Sequence, residues 1–321
     1  MSYRRRRVAE PLPLRIAVIG MGKIAHDRHL PAIAADPGFT LAATVSRSNT
    51  AADVPHFADI AALLASDVAV DAVAICTPPG PRFAIAQTAL AAGLDVLLEK
   101  PPAVSLGEAR TLATLAAGRT LFAAWHSRFA VGVEPARAAL AGARIVSVTT
   151  RWREDVRRWH PGQDWIWAAD GFGVLDPGIN ALSILTRILP IPLVLAAARL
   201  EYPANRAAPI AARLMLSGPG LSDAECDFDW RHTGADCWCI TVTTTAGQTV
   251  QLGDGGARLS IDGITVPLPE NAEYSGLYRH FAALCTARAS DFDLDPLALA
   301  LAAVDTGTRA TVARFDALCQ P

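Results

Sequence analysis

Neither sign of charge dominates this chain: 29 lysines and arginines stand against 31 aspartates and glutamates, a net of −2. That balance excludes the basic footprint of a nucleic-acid binder, and a hydrophobic fraction of 51% excludes a disordered chain. Long uninterrupted apolar runs are missing too, because Gly, Pro or charge breaks each one within a strand or helix length. No membrane partner is therefore expected. Cysteine is sparse. The six (Cys76, Cys226, Cys237, Cys239, Cys285 and Cys319) are scattered without the spacing of a disulfide framework or a zinc site, which points to the reducing cytoplasm. Cys237 and Cys239 would share one face of a strand. With no His or further Cys clustered beside them they read as two small apolar residues, and no metal is expected. Internal repeats are absent, and the only compositional bias is toward Ala.

The one dense charge run, Arg4–Arg7, is not followed by the apolar stretch of an export signal, since Val8-Ala9-Glu10-Pro11-Leu12-Pro13 brings a charge and two prolines. Residues 1–13 therefore read as a flexible basic tail. The remainder of a 321-residue chain exceeds the usual size of one core, so two domains are expected.

From Leu14 onward, strand-like and helix-like segments alternate, as in parallel βαβ units. Strands are expected at Leu14–Ile19, Phe39–Val45, Ala72–Cys76, Asp95–Leu98 and Leu121–Trp125, with helices over 24–35 and 83–92. Past Phe129 the texture changes to β-branched, period-two segments at 145–151, 211–216, 239–245 and 257–261. Turns such as Gly253-Asp254-Gly255-Gly256 and Asp262-Gly263 separate several of them. The fold class expected is α/β: an N-terminal Rossmann domain with a parallel sheet over 14–128, then an α+β domain with a largely antiparallel open sheet over 129–321. Helices are expected over 274–287 and 296–317, the last packing back on the Rossmann domain.

The chemistry starts at Ile19-Gly20-Met21-Gly22-Lys23-Ile24-Ala25, which puts two glycines directly after a buried-strand pattern and ahead of a helix. The first permits the tight turn, and the second lets backbone approach a pyrophosphate whose charge meets the helix N-terminus. Gly20, Met21, Gly22, Lys23 and Ile24 are thus candidate dinucleotide contacts. An NAD site would place an acid at the end of the second strand, where this chain has Val45-Ser46-Arg47-Ser48. Ser46 and Arg47 suit a 2′-phosphate, so NADP is favoured with NAD use left open.

Two further segments, Ile75-Cys76-Thr77-Pro78-Pro79 and Leu98-Glu99-Lys100-Pro101-Pro102, complete a pattern that resembles the glucose-fructose oxidoreductase and inositol dehydrogenase family. Asp176-Pro177-Gly178-Ile179-Asn180 is similar to the start of that family's catalytic helix, so the resemblance spans essentially the whole chain. It implies that Thr77, Pro78, Pro79, Glu99 and Lys100 also contact the cofactor, and that Lys100 lies beside both nicotinamide and substrate. Within the family, the stretch from Trp152 to Asn180, with Trp125–Phe129 and Phe228–Arg231, is most similar to the bacterial group that oxidises D-galactose and L-arabinose at C1. That resemblance implies an NAD(P)-dependent aldose dehydrogenase giving the lactone. Its sugar contacts would be His126, Glu154, Trp159, Asp176 and Asn180, with Trp230 a further candidate. It also implies a homodimer or homotetramer.

A tryptophan-rich segment flanked by charges suits a sugar, whose hydroxyls need polar partners and whose C–H face needs a flat apolar one. Trp165 and Trp167 read instead as core, His160 and His232 as surface or structural histidines, and His26 and His29 as packing near the cofactor loop. Many relatives carry a histidine where Asn180 stands. Asparagine cannot accept the proton, so the catalytic candidates are Asp176 and Lys100, and which of them removes the proton stays open. Other readings are a family member acting on another polyol, inositol or imine, or a non-catalytic dinucleotide sensor.

Overall fold

The structure is a computed structural model that describes residues 12–48, 53–221 and 223–316. The basic run Arg4–Arg7 and Cys319 lie outside the described residues.

The first sheet forms from short, almost wholly apolar segments. β1 (Leu14–Ile19), β2 (Phe39–Val45), β3 (His56–Phe57), β4 (Ala72–Ile75), β5 (Asp95–Glu99) and β6 (Leu121–Ala124) pair in parallel in the order β3-β2-β1-β4-β5-β6. Continuous burial on β4 and β6 is what a parallel sheet covered on both faces demands. Between the strands run α1 (Leu30–Ala35), α2 (Ile60–Leu64), α3 (Pro79–Ala91) and α4 (Leu106–Leu115). Asp59 and Ser105 cap α2 and α4 by accepting the amides of Ala62 and Glu108, and prolines open α3 where a helix has no use for the missing N–H. The expected continuous helix over 24–35 is instead a π-helical turn, Ala25–His29, running into α1. Pro31 cannot donate an i−4 hydrogen bond, so the ladder shifts there.

The order reverses between β1 and β4, and the glycine loop after β1 sits at that switch point, where ligands of open α/β sheets bind.

The second sheet has nine strands, ordered β14-β13-β12-β11-β7-β10-β9-β8-β15. They are β7 (Ile145–Arg153), β8 (Val194–Pro203), β9 (Ala211–Ser217), β10 (Asp223–Asp229), β11 (Cys237–Thr244), β12 (Thr249–Gly253), β13 (Arg258–Ile261), β14 (Ile264–Thr265) and β15 (Thr308–Val312). Only β7–β10 and β8–β15 are parallel pairs, so the sheet is largely antiparallel. Five α-helices follow β6 among the described residues: α5 (Val133–Leu140), α6 (Val156–Trp159), α7 (Leu175–Ile188), α8 (Glu273–Ala287) and α9 (Asp295–Thr306). α5, α7 and α9 bury their apolar sides against this sheet in one core.

Two expectations are corrected. The last helix ends at Thr306 because residues 308–312 extend as β15 along β8, and α9 packs on α7 and β8, not on the first sheet. The helix that returns to the first sheet is α8. Its Tyr274, Leu277, Tyr278 and Phe281 pack with Ile16, Val18 and Phe39. Cys237 and Cys239 lie half-buried on β11.

Candidate active site

The glycine loop is shaped by two different constraints. Gly20 adopts a φ of +92°, and a Cβ there would come 2.7 Å from the Thr77 amide nitrogen, so only glycine lets the ends of β1 and β4 close up. At Gly22 nothing lies within 4 Å of where a Cβ would be, which leaves backbone open toward the cleft. The Gly20 amide donates to the Val45 carbonyl at 2.8 Å, and this bond brings the end of β2 beside the loop. Arg47 is exposed there, and the Ser46 hydroxyl donates to the Ser48 carbonyl. Thr77 Oγ1 is buried with no partner among the described residues. An open glycine backbone, a hydroxyl without a partner among the described residues and an exposed guanidinium at the switch point together fit a dinucleotide.

A cleft of ≈ 840 Å³ runs from this loop to the second sheet. Gly22, Lys23, Ile24, Thr77, Pro78, Glu99 and Lys100 line it, whereas Gly20, Met21, Pro79, Ser46 and Arg47 stand outside its wall. The Met21 side chain is buried in the core, and the Lys23 ammonium pairs with Asp27.

At the centre of the cleft Lys100, just past β5, meets Asp176, in the first turn of α7. Lys100 Nζ donates to the Asp176 carboxylate Oδ1 at 3.1 Å and to its backbone carbonyl at 2.9 Å, with side chains 14% and 6% exposed. The segment carrying Lys100 is anchored from below. Glu99 Oε2 accepts the Lys100 amide at 2.8 Å, and Glu99 Oε1 accepts from the Tyr274 hydroxyl at 2.6 Å and from His29 Nε2 at 3.1 Å. Burial works to raise the Glu99 carboxyl, but these bonds and the imidazole charge overcome it and hold the group well below the usual carboxylate range. Arg82 of α3, missed from sequence, donates to the carbonyls of Thr77, Glu99 and Pro101 and so ties the ends of β4 and β5 together. Burial lowers its guanidinium to about 10, against the nearby negative charge of Glu99 and Asp176.

The far wall comes from the second sheet. Glu154, just past β7, accepts the Trp230 indole N–H at 3.2 Å and the Trp238 indole N–H at 2.9 Å. Burial pushes its carboxyl up to about 7, although the two indoles and Lys100 pull the other way. Trp159, which lines the cleft, lies against Trp238 with centroids 5.1 Å apart, donates its N–H to Asp236 at 3.2 Å and has the Arg158 guanidinium 5.2 Å from its ring centroid. His126 reaches the wall from the other side, paired with Glu273 at 2.7 Å and stacked on Tyr274. Asn180 lines the cleft one turn beyond Asp176.

Three placements differ from the expectations. Trp230 is fully buried behind Glu154 and does not line the cleft, so it holds Glu154 and does not reach the cleft itself. Trp165, read as core, is half-buried and lines the cleft, whereas Trp167 is core. His160, read as surface or structural, lines the cleft with Nε2 3.9 Å from Asp176 Oδ2. Trp238 was missed altogether because its link to Glu154 joins residues 84 positions apart.

The chain is similar to known proteins in sequence and in fold. Residues 14–124 match an oxidoreductase family with an NAD-binding Rossmann fold. Galactose 1-dehydrogenase of Pseudomonas fluorescens is 43% identical over 315 residues, spanning 94% of this chain and 99% of that protein. A solved D-galactose-1-dehydrogenase from Rhizobium etli superposes with a TM-score of 0.91 at 47% identity, over 96% of this chain and 99% of that one. A 3-ketoreductase from Actinomadura kijaniata, solved with TDP-benzene and NADP, has a TM-score of 0.83 at 22% identity over 94% of this chain and 99% of that one, and shares the fold.

Proposed function

The chain belongs to the oxidoreductase family with an NAD-binding Rossmann fold, and from that premise we propose that it is an NAD(P)-dependent sugar 1-dehydrogenase. It oxidises the anomeric carbon of D-galactose, and of the stereochemically matching L-arabinose, to the lactone. The observation that carries the reading is the Lys100–Asp176 pair, half of it held by each sheet, between a dinucleotide loop and a tryptophan wall.

In this reading residues 14–128 hold the cofactor and residues 129–321 the sugar, with α8 returned to the first sheet. Backbone at Gly22 and the Thr77 hydroxyl would receive the pyrophosphate half of the dinucleotide, and Lys100 would lie by the nicotinamide. The bound nicotinamide supplies the hydride acceptor. Arg47, exposed beside the loop with no carboxylate among Ser46, Arg47 and Ser48, would pair with a 2′-phosphate, which makes NADP the preferred form.

Asp176 accepts the proton of the anomeric hydroxyl. Lys100, donating to the other side of that carboxylate and to its backbone, holds the base in place and compensates the charge as the proton arrives. Glu154 keeps lone pairs free after accepting two indole N–H groups and receives a sugar hydroxyl. The Trp159 ring covers the C–H face of the pyranose, and His126 and Asn180 border the space beyond. The half-buried and buried free thiols fit a reducing cytoplasm. A homodimer or homotetramer built on the second sheet completes the reading.

Purified protein mixed with NADP and a panel of aldoses should produce NADPH absorbance with D-galactose and L-arabinose among the fastest. Turnover of inositols or cyclic imines with none of the aldoses would overturn the assignment.

A further inference from the structure

The reaction proposed above releases a proton into a buried site, and the structure holds an acceptor for it that the sequence pattern does not mark. His160 closes α6, and its side chain is 16% exposed. Its Nε2 stands 3.9 Å from Asp176 Oδ2, while Lys100 Nζ occupies the opposite oxygen, Oδ1, at 3.1 Å. The two oxygens of the base therefore face different partners: a fixed cation on one side and an imidazole on the other.

The tautomer of that imidazole is set from behind. His160 Nδ1 lies 3.2 Å from Gln163 Oε1, an atom that only accepts, so the ring hydrogen sits on Nδ1 and the Nε2 lone pair points at Asp176. The Trp230 ring, with its centroid 5.3 Å from the imidazole, holds it there, and Trp230 is itself pinned to Glu154. Burial lowers the imidazole below its ordinary value, and Lys100 adds to that, against the pull of Asp176 and Gln163. At residue 180, one turn along α7, the asparagine cannot take a proton.

Resting on the dehydrogenase reading, we propose that His160 is the proton acceptor behind Asp176. When the C1 hydroxyl is oxidised, the C1–H electron pair leaves with its hydrogen to the nicotinamide and the O–H pair becomes the second C–O bond. The hydroxyl proton passes to Asp176 and on to His160 Nε2. Asp176 is then ionised again, and the imidazolium, donating to Gln163 and Asp176, carries the proton toward the open side of the cleft. The gap of 3.9 Å closes by a small ring movement once the carboxyl carries a proton to donate. Because His160 acts through Asp176, it is a positioning residue for the base and a relay for its proton.

Charged or titratable groups face His160 from three elements: Asp176 on α7, Lys100 after β5, and Glu154 after β7, the last across Trp230. Glu154 titrates near neutrality, so the test uses a Glu154→Gln background to remove it. In full-length enzyme with saturating D-galactose and NADP, kcat should fall as pH drops through the imidazole value, below about 6.5. His160→Gln or His160→Asn should lower kcat by about tenfold to a hundredfold, abolish that acidic limb and leave the KM for NADP near wild type. Added imidazole should restore turnover to His160→Ala. Wild-type turnover in His160→Gln, or a slow variant that keeps the limb and ignores imidazole, would overturn the relay. Absence of aldose turnover in the unsubstituted enzyme would instead sink the dehydrogenase reading on which it rests.

Discussion

Replacing Glu154 by glutamine tests whether a half-titrated carboxylate recognises the sugar. The carboxyl is buried in the cleft wall with each oxygen accepting one indole N–H, and burial moves it from an ordinary 4.5 to about 7. Between pH 6 and pH 8 its ionised fraction then rises from about 10% to about 90%. If the carboxylate form binds the sugar hydroxyl and the neutral acid does not, the KM for D-galactose should fall roughly ninefold over that interval. Glu154→Gln should raise KM roughly tenfold to a hundredfold at pH 8, the equivalent of one charge-assisted hydrogen bond. Its KM should also be flat across the same range.

Stability carries a second, independent reading of the same proton. A carboxyl whose folded pKa lies above its unfolded value favours the folded state fully below the unfolded value of about 4.5, and that contribution is lost as pH rises through about 7. Its ceiling is about 3 kcal/mol, from the rise of 4.5 to about 7. Thermal unfolding of wild type should therefore lose stability between pH 5 and pH 8 relative to Glu154→Gln, which has no proton to lose. A KM slope that persists unchanged in the variant, with parallel stability curves, would refute the placement of this titration on Glu154.

Three further outcomes can be measured directly. Arg47→Ala should raise the KM for NADP by about 1.5–3 kcal/mol equivalent and leave that for NAD little changed; equal effects on both in steady-state kinetics would remove the 2′-phosphate contact. Asp176→Asn should lower turnover roughly 10²–10⁴-fold under saturating sugar and cofactor while NADP binding, followed by fluorescence titration, stays near wild type; near-wild-type turnover would leave Lys100 as the base. Trp159→Ala should raise the sugar KM with less effect on kcat, because a stacking face binds ground state and transition state alike, and a selective loss of kcat would argue against that role.

How far the sequence could be read depended on whether a feature is local. β1 stood out because a parallel strand buried on both faces is a continuous apolar run, and Gly20 and Gly22 followed it within three residues. β8 was missed because most of Val194–Pro203 is exposed or half-exposed and its alanines carry no clean alternation. The periodicity of α8 was legible, but an amphipathic helix does not say which sheet its apolar face will meet, and here it was the first. In the cleft, Lys100 and Asp176 were found through motifs, whereas Trp238 and His160 belong to no motif and became relevant only when the fold carried them to Glu154 and Asp176.

The central pair also explains why α8 must leave its own sheet. Lys100 comes from the first sheet and Asp176 from a helix packed on the second, so a bond of 3.1 Å between them holds only if the two layers keep one register. Glu99 supplies the coupling: it grips the Lys100 amide with one oxygen and the Tyr274 hydroxyl, at the start of α8, with the other. Tyr278, one turn along, fixes His29 at 2.8 Å, and His29 closes the loop back to Glu99. A rigid helix thus carries the second part of the chain onto the strand end that presents the lysine. Removing the Tyr274 hydroxyl leaves the buried Glu99 short of one donor, and the disturbance is passed to the Lys100 backbone before it reaches the sugar. On this argument Tyr274→Phe should reduce kcat more than it changes the KM for either substrate.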